Sequence, residues 1–295
     1  MVGNAQARWL ENRRGAAAMA AAMVLIVIND TMIKVVSESL PAAQTIGLRG
    51  VFATAMVLAV VLARGLGGSL HYLTDRRTMT RGALDVLSTF TYLVSLFHMP
   101  IAAATAINMA APLMMVGAAA VMLREAVPFR RWAAVLVGFA GMLLIVRPGG
   151  DSFNAWAALA LFGTAVNAMR DLYTRRIGPH VPSLIITLAT SVAVTVMGVG
   201  VTTVQGWQPV SAVQLGLLAA AAGFLSVAYY LMIIAMRLGD ASVIGGFRYS
   251  ALPAAAATGW LVWGQLPDGL AFAGMAVLVA AGLWLMRVER RAAHR

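Results

Sequence analysis

Long uncharged apolar runs alternate with short basic clusters along the whole chain. Val181–Val204 and Ser211–Met236 each exceed the roughly 20 residues that a helix needs to cross the hydrocarbon core of a bilayer. The pattern therefore predicts membrane spans rather than buried helices of a soluble core. Ten segments are read in this way, over 16–35, 44–62, 82–99, 101–122, 130–147, 154–174, 182–204, 211–236, 240–262 and 268–287. The longest loop between them, Ala63–Arg81, is too short to fold alone. Whatever the chain does is expected to happen among its helices.

Charge adds direction to this picture. The chain is 61% hydrophobic and 11% charged, against about half and a quarter for a soluble domain. Its 22 Lys and Arg outnumber 11 Asp and Glu, but they form no stripe that a phosphate backbone follows, which argues against nucleic acid. They collect instead in alternate loops. Arg8, Arg13 and Arg14 precede the first segment, Arg64, Arg76, Arg77 and Arg81 follow the second, and Arg124, Arg130 and Arg131 follow the fourth. Arg170, Arg175 and Arg176 surround the end of the sixth, and Arg287, Arg290, Arg291 and Arg295 close the chain. Only Lys34 and Arg147 fall in the opposite loops. Lys and Arg accumulate on the cytoplasmic side, so both termini are expected there. The basic start before Ala16–Ile28 is similar to a signal peptide, but polar Asn29–Asp30 and the missing cleavage pattern favour a retained span. There is no cysteine, and hence neither disulfide nor thiolate metal site.

The chain repeats itself. An offset of 140 or 141 residues aligns Pro112 with Pro253, Glu125 with Gln265, and Arg147 with Arg287. The same offset sets Asn29-Asp30-x-x-x-Lys34 against Arg170-Asp171-x-x-x-Arg175. Two related halves are expected, 1–149 and 150–295, each of five spans. An odd number of spans per half inverts one half relative to the other, and inverted repeats underlie alternating access around a site near the midplane.

In these features the chain resembles the ten-helix, EamA-like branch of the drug/metabolite transporter superfamily. The resemblance is carried by Phe97–Val146, with its Ala-rich start, Pro112, the Leu123-Arg124-Glu125 helix end and Gly138-x-x-Gly141. Asn29, Asp30 and Lys34 in the first span and Arg49 in the second add to it. Gln265 departs from the pattern by standing where the first half has Glu125, which puts any role for paired acids there in doubt. What the resemblance implies is secondary transport through a central cavity, mostly efflux of amino acids and other small metabolites, with bacterial exporters of aromatic amino acids the nearest in character.

Ionisable residues inside spans are costly in lipid and usually face the bundle interior. Asp30 and Arg49 lie at similar depth, a few angstroms outward of the midplane. They form either a gate or proton-responsive pair or a structural ion pair. Lys34, one turn beyond Asp30, either competes for that carboxylate or snorkels to the outer interface. Arg248, flanked by Gly245-Gly246 and Tyr249-Ser250, either holds a substrate carboxylate or pairs with Asp171 or helix carbonyls. Asn108 sits one turn before Pro112, which frees a backbone carbonyl, as Pro253 does in the second half. Asn108 and Asn167 are candidate ligand groups or interhelical hydrogen bonders. Tyr92, Tyr229, Tyr230 and Tyr249 shape an amphipathic pocket or pack between helices. Asp171 and Arg175 read as a structural link, and Trp9, Trp156, Trp207 and Trp263 as interface anchors.

No phosphate-binding Gly-rich loop, His-Glu-x-x-His or Gly-x-Ser-x-Gly appears, so neither ATP, nor a metal, nor a catalytic serine is expected. The expectation is an all-α membrane protein without cofactor, not an enzyme, in the bacterial inner membrane. Its partners are a small-molecule substrate and the lipid bilayer, with self-association left open. The leading function is export of amino acids, with proton exchange and facilitated diffusion both open. A lipid-carrier flippase or a channel is the alternative.

Overall fold

The computed structural model describes residues 2–122, 128–146, 155–174, 176–178, 180–238 and 244–293. Leu123-Arg124-Glu125, Arg147 and Arg175 lie outside them. Among the described residues there are eleven α-helices, two 3-10 segments and no strand. In chain order come α1 (Val2–Ser37), α2 (Ala42–Ala63), a 3-10 segment (Leu66–Thr74), α3 (Arg76–His98), α4 (Ile101–Asn108), α5 (Ala111–Met122) and α6 (Phe129–Val146). Then follow α7 (Ala155–Thr174), α8 (Ser183–Gln205), α9 (Ala212–Leu238), a 3-10 segment (Gly245–Ser250), α10 (Ala251–Trp263) and α11 (Gly269–Ala293).

Local chemistry sets the helix ends. Pro41, Pro100 and Pro182 stand at the N-caps of α2, α4 and α8, where the extended backbone of proline leads the chain in. Asp75 caps α3 by accepting from the Arg77 and Thr78 amides at 3.0 and 3.2 Å. Ser211 and Gln214 exchange bonds at 2.7 and 3.2 Å at the start of α9, a reciprocal capping box. Gly264, at φ 66°, ends α10 in the left-handed conformation that glycine adopts without a Cβ penalty.

Two predicted segments are interrupted. The fourth divides into α4 and α5, because Pro112 has no N–H to give the Asn108 carbonyl, and the chain tightens through a bond from the Ala110 amide to the Ile107 oxygen at 3.0 Å. In the ninth, the 3-10 segment Gly245–Ser250 precedes α10. Met109, in the first interruption, and Ser250, ending the second, are 141 residues apart.

Among the described residues six stretches are long and apolar enough to cross a membrane: Leu10–Ser37, Ala42–Ala63, Ile101–Ala118, Ser183–Gln205, Ala212–Met236 and Gly269–Val288. Large side chains such as Leu136, Val196, Val204, Val213 and Leu261 stand exposed on the helices. Apolar surface on this scale marks contact with lipid or a partner rather than water.

The chain divides into two compact units, each assembled from distant parts of the sequence. The first comprises Met1–Ile28, Pro100–Asn154 and Phe224–Arg295, and the second Asn29–Met99 and Ala155–Gly223. In the first unit α6 packs against α11, and α4 against α10. The α6–α11 seam is made by glycine: a Cβ on Gly141 would stand 2.9 Å from the Gly274 carbonyl oxygen, and one on Gly274 would stand 2.5 Å from the Gly141 oxygen. In the second unit α2 packs against α8, and α3 against α7 and α8. Gly47 and Gly198 face each other so closely that a Cβ on Gly198 would lie 2.6 Å from the Gly47 Cα. Further along this seam Thr54 and Thr195 share a hydrogen bond of 3.0 Å between their hydroxyls.

Candidate functional site

On α3 the residues Thr78, Arg81, Asp85, Ser88, Tyr92 and Ser95 recur at spacings of three and four, which places them on one face of the helix. Thr78, Asp85, Ser88 and Ser95 are buried, whereas Met79 and Leu87 on the same helix are exposed. This is the reverse of a helix in water. Polar atoms turned inward and apolar ones outward are what lipid as the surrounding solvent requires. The polar face forms a column through the second unit.

At one end of the column lies a charged cluster. Asp85, 3% exposed, is ion-paired with the Arg170 guanidinium of α7. Arg170 also donates from Nη2 to Asp171 Oδ1 at 2.7 Å. Arg81, one turn before Asp85, lies 3.9 Å from it and donates to the hydroxyls of Thr174 on α7 at 2.9 Å and Thr190 on α8 at 2.5 Å. Three helices are tied together here by charge-assisted bonds, which are stronger than neutral ones.

At the other end, the Tyr92 hydroxyl donates to Asp30 Oδ2 at 3.0 Å and Asn29 Nδ2 donates to Asp30 Oδ1 at 2.9 Å. The charge of Arg49 acts on Asp30 as well. Asn29, Asp30, Lys34 and Arg49 are all buried. Lys34 donates from Nζ to the Leu96 and Met99 carbonyls at 2.6 and 2.5 Å. Its ammonium thus satisfies carbonyls at the C-terminal end of α3, where a cation also meets the negative end of the helix dipole. Between the two ends, α7 approaches α3 at Gly163, where a Cβ would lie 2.5 Å from Thr91 Oγ1 and 3.1 Å from the Tyr92 nitrogen. Asn167 follows one turn further along α7.

The second unit therefore gathers five of the expected residues: Asp30, Lys34, Arg49, Tyr92 and Asn167. It adds Asp85, Arg81 and Arg170 in an arrangement that the sequence reading missed. Asp85 was detectable as an acid inside the third predicted segment, four residues after Arg81.

The first unit holds the others. Asn108 and Pro112 are half-buried at the α4–α5 interruption. Tyr249 is buried, and its hydroxyl fills the notch at Gly282 of α11, where any Cβ would overlap it. Gly245 and Gly246 bring the same 3-10 segment onto Met286 and Leu283. Arg248 and Pro253 are exposed, and Tyr229 and Tyr230 are 51% and 60% exposed. Among the described residues no group of His, Cys, Asp and Glu is arranged to hold a metal ion.

These helices, apolar without and polar within, define a multi-pass α-helical membrane protein. Residues 13–147 match the EamA-like transporter family. The chain is similar to the riboflavin transporter of Rhizobium johnstonii, at 28% identity over 276 residues covering 91% of each chain. It is also similar to the pseudopaline exporter CntI of Pseudomonas aeruginosa, at 26% identity covering 89% of this chain and 92% of that one. The S-adenosylmethionine uptake transporter of Rickettsia prowazekii is 24% identical, covering 91% of each. A protein of known crystal structure matches 94% of this chain and 98% of its own with a TM-score of 0.64 at 19% identity, which shows the fold alone. The family match and the relatives make this chain similar to EamA-like transporters, and each of the three relatives is named as a transporter or exporter of a small molecule. The three relatives differ from one another in cargo and, between export and uptake, in direction.

Proposed function

We propose that this chain is a secondary carrier of the bacterial inner membrane that exports amino acids, aromatic ones among them, and related small metabolites by alternating access. The observation that carries this reading is the buried polar column of α3, charged at both ends, in a helix whose outer face is apolar. Such a column gives a polar solute hydrogen-bonding groups along a path that lipid does not offer. Asp30, Lys34 and Arg49 serve as gating or coupling groups and Tyr92 and Asn167 as substrate contacts in the second unit. Asn108, Tyr229, Tyr230, Arg248 and Tyr249 are the substrate contacts of the first, with Pro112 and Pro253 setting the interruptions.

On this reading ten spans form two inverted five-helix repeats, 1–149 and 150–295. The helices of the predicted third and sixth spans, α3 and α7, are 23 and 20 residues long, about 30 Å or more at 1.5 Å per residue. Their hydropathy is low because their polar faces turn inward. Helices at corresponding places in the two halves pack against each other within each unit: α2 with α8, α4 with α10 and α6 with α11. The loops also sort by end in the second unit. Gln44 bonds Gln208 at 2.8 and 3.0 Å and Ser39 bonds Gln214 at 2.7 Å, both in stretches assigned outside. Arg77 reaches the Arg176 carbonyl at 2.8 Å, in stretches assigned to the cytoplasm.

Proteoliposomes loaded with a panel of radiolabelled amino acids test the function. Protein-dependent, saturable flux of at least one is expected, and flux of none rejects the substrate class. The cysteine-free chain suits single-cysteine labelling by a membrane-impermeant reagent. Ser39→Cys, Trp207→Cys and Leu266→Cys are expected to react from outside intact cells, and Gln6→Cys and His71→Cys only after lysis.

A further inference from the structure

Two amide side chains, on α1 and α7, leave an oxygen bare beside the same stretch of α3. Asn29 is 1% exposed, and while its Nδ2 serves Asp30, its Oδ1 is buried with no partner among the described residues. Asn167 Oδ1 is in the same condition. Asn167 lies one turn from Gly163, which touches Thr91 and Tyr92, and one turn from Arg170, which binds Asp85. It is therefore held against the column between Tyr92 and Asp85. A buried polar atom without a partner carries the full cost of its lost hydration, and folded proteins contain few of them. Two of them beside the same stretch of α3, one bonded to the Asp30 carboxylate through its amide nitrogen, point to a ligand that completes them.

The inventory of unspent groups says which ligand. The Tyr92 proton and one Asn29 amide proton are already committed to Asp30. Lone pairs on the Asp30 carboxylate and the two bare amide oxygens remain as acceptors, and the Arg49 guanidinium, whose charge acts on Asp30, balances the carboxylate. Three such acceptors, one of them a carboxylate, suit a compact group carrying several N–H donors, and a primary ammonium has three. An anion would turn to the Arg49 guanidinium rather than to these oxygens, and a multivalent metal lacks further carboxylates or imidazoles among the described residues.

We propose that Asp30, Asn29 Oδ1 and Asn167 Oδ1, with Tyr92 orienting the carboxylate, receive the protonated amino group of the substrate. This inference rests on the amino-acid reading above and assigns the amino-group half of the site. It makes the amino group, rather than the carboxylate or side chain, the feature that the second unit selects.

The test is binding to the purified full chain in nanodiscs by three probes that share one ring: 2-phenylethylamine, L-phenylalanine and 3-phenylpropanoate. The amine and the amino acid are expected to bind at least about tenfold more tightly than the deaminated acid, a discrimination typical of sites with hydrogen-bond partners to fill. Asp30→Asn is expected to weaken amine binding by about a hundredfold, and Asn29→Leu and Asn167→Leu by about tenfold each. The two leucine variants lie on different helices and carry the test if Asp30→Asn does not fold. Each is compared at an unchanged unfolding midpoint. Failure of the wild type to bind the amine, equal binding of 3-phenylpropanoate, or wild-type amine binding by folded Asn29→Leu and Asn167→Leu overturns the proposal. So does displacement of the amine when choline chloride is replaced by sodium chloride, which assigns the shell to an alkali cation. Amine binding without amino-acid flux leaves the ammonium site standing and rejects the export reading. Amino-acid flux that ignores Asn29→Leu and Asn167→Leu does the reverse.

Discussion

In the first unit α6 and α11 meet through glycine, and in the second α3 and α7, which touch at Gly163, are tied at one end by charge. The two seams answer one difficulty, since lipid tails are as apolar as leucine and helices in a membrane gain little by hiding apolar side chains from them. At Gly141 and Gly274 the backbones approach until each glycine faces the other's carbonyl, and dispersion and close fit do the holding. At Asp85, Arg170, Arg81 and Thr174 the holding is done by hydrogen-bonded charges. A close-fitted seam tolerates little sliding. A seam of a few polar bonds can break and re-form as units, which suits the part of a carrier that must rearrange.

The largest expected effect is at the charged seam. Asp85→Asn leaves two arginines facing a neutral group, and breaking a buried pair from one side costs about 4 kcal/mol. Thermal or denaturant unfolding in nanodiscs measures it. The double variant Asp85→Asn with Arg170→Gln is expected to regain part of the loss, with a coupling of about 1.5 kcal/mol. Additive losses would mean that the two side chains do not act as a pair. Next comes the glycine seam, where Gly141→Leu drives a side chain into backbone that cannot yield and costs about 3 kcal/mol. A conservative Gly141→Ala that unfolds like the wild type would show that the seam is looser than the distances say. Smallest is Lys34→Met, which removes the ammonium from the Leu96 and Met99 carbonyls for about 2 kcal/mol. Its signature is local: faster amide exchange at the end of α3, with the glycine seam unchanged.

Much of this architecture is legible in the chain. Uncharged runs mark the helices, and Pro112 and Pro253 mark both interruptions. Asp30, Lys34 and Arg49 stand out as charges in apolar surroundings, and all three prove buried. Asp85 escaped notice because an acid four residues after Arg81 reads as a helix-end pair at an interface. Its main partner, Arg170, is 85 residues away, and no periodicity links them. The acceptors of Lys34 are backbone carbonyls, which every residue possesses, so no sequence pattern announces them. Gly141 is visible as part of Gly138-x-x-Gly141, but its neighbour Gly274 has no second glycine three or four residues away and gains meaning only from the seam. The division into two interleaved units is equally hidden, because it depends on which helices pair in space rather than on their order.

Thr54 and Thr195, which share a hydrogen bond, are 141 residues apart, the offset between the two proposed halves. On the proposed duplication this is a position touching its own copy. Two half-length polypeptides from one ancestral gene would make that contact with each other before any fusion joined them. The α2–α8 seam is then an old subunit boundary retained inside a single chain. Severing the chain between residues 147 and 155 and coexpressing the two pieces would call on that boundary once more to assemble them.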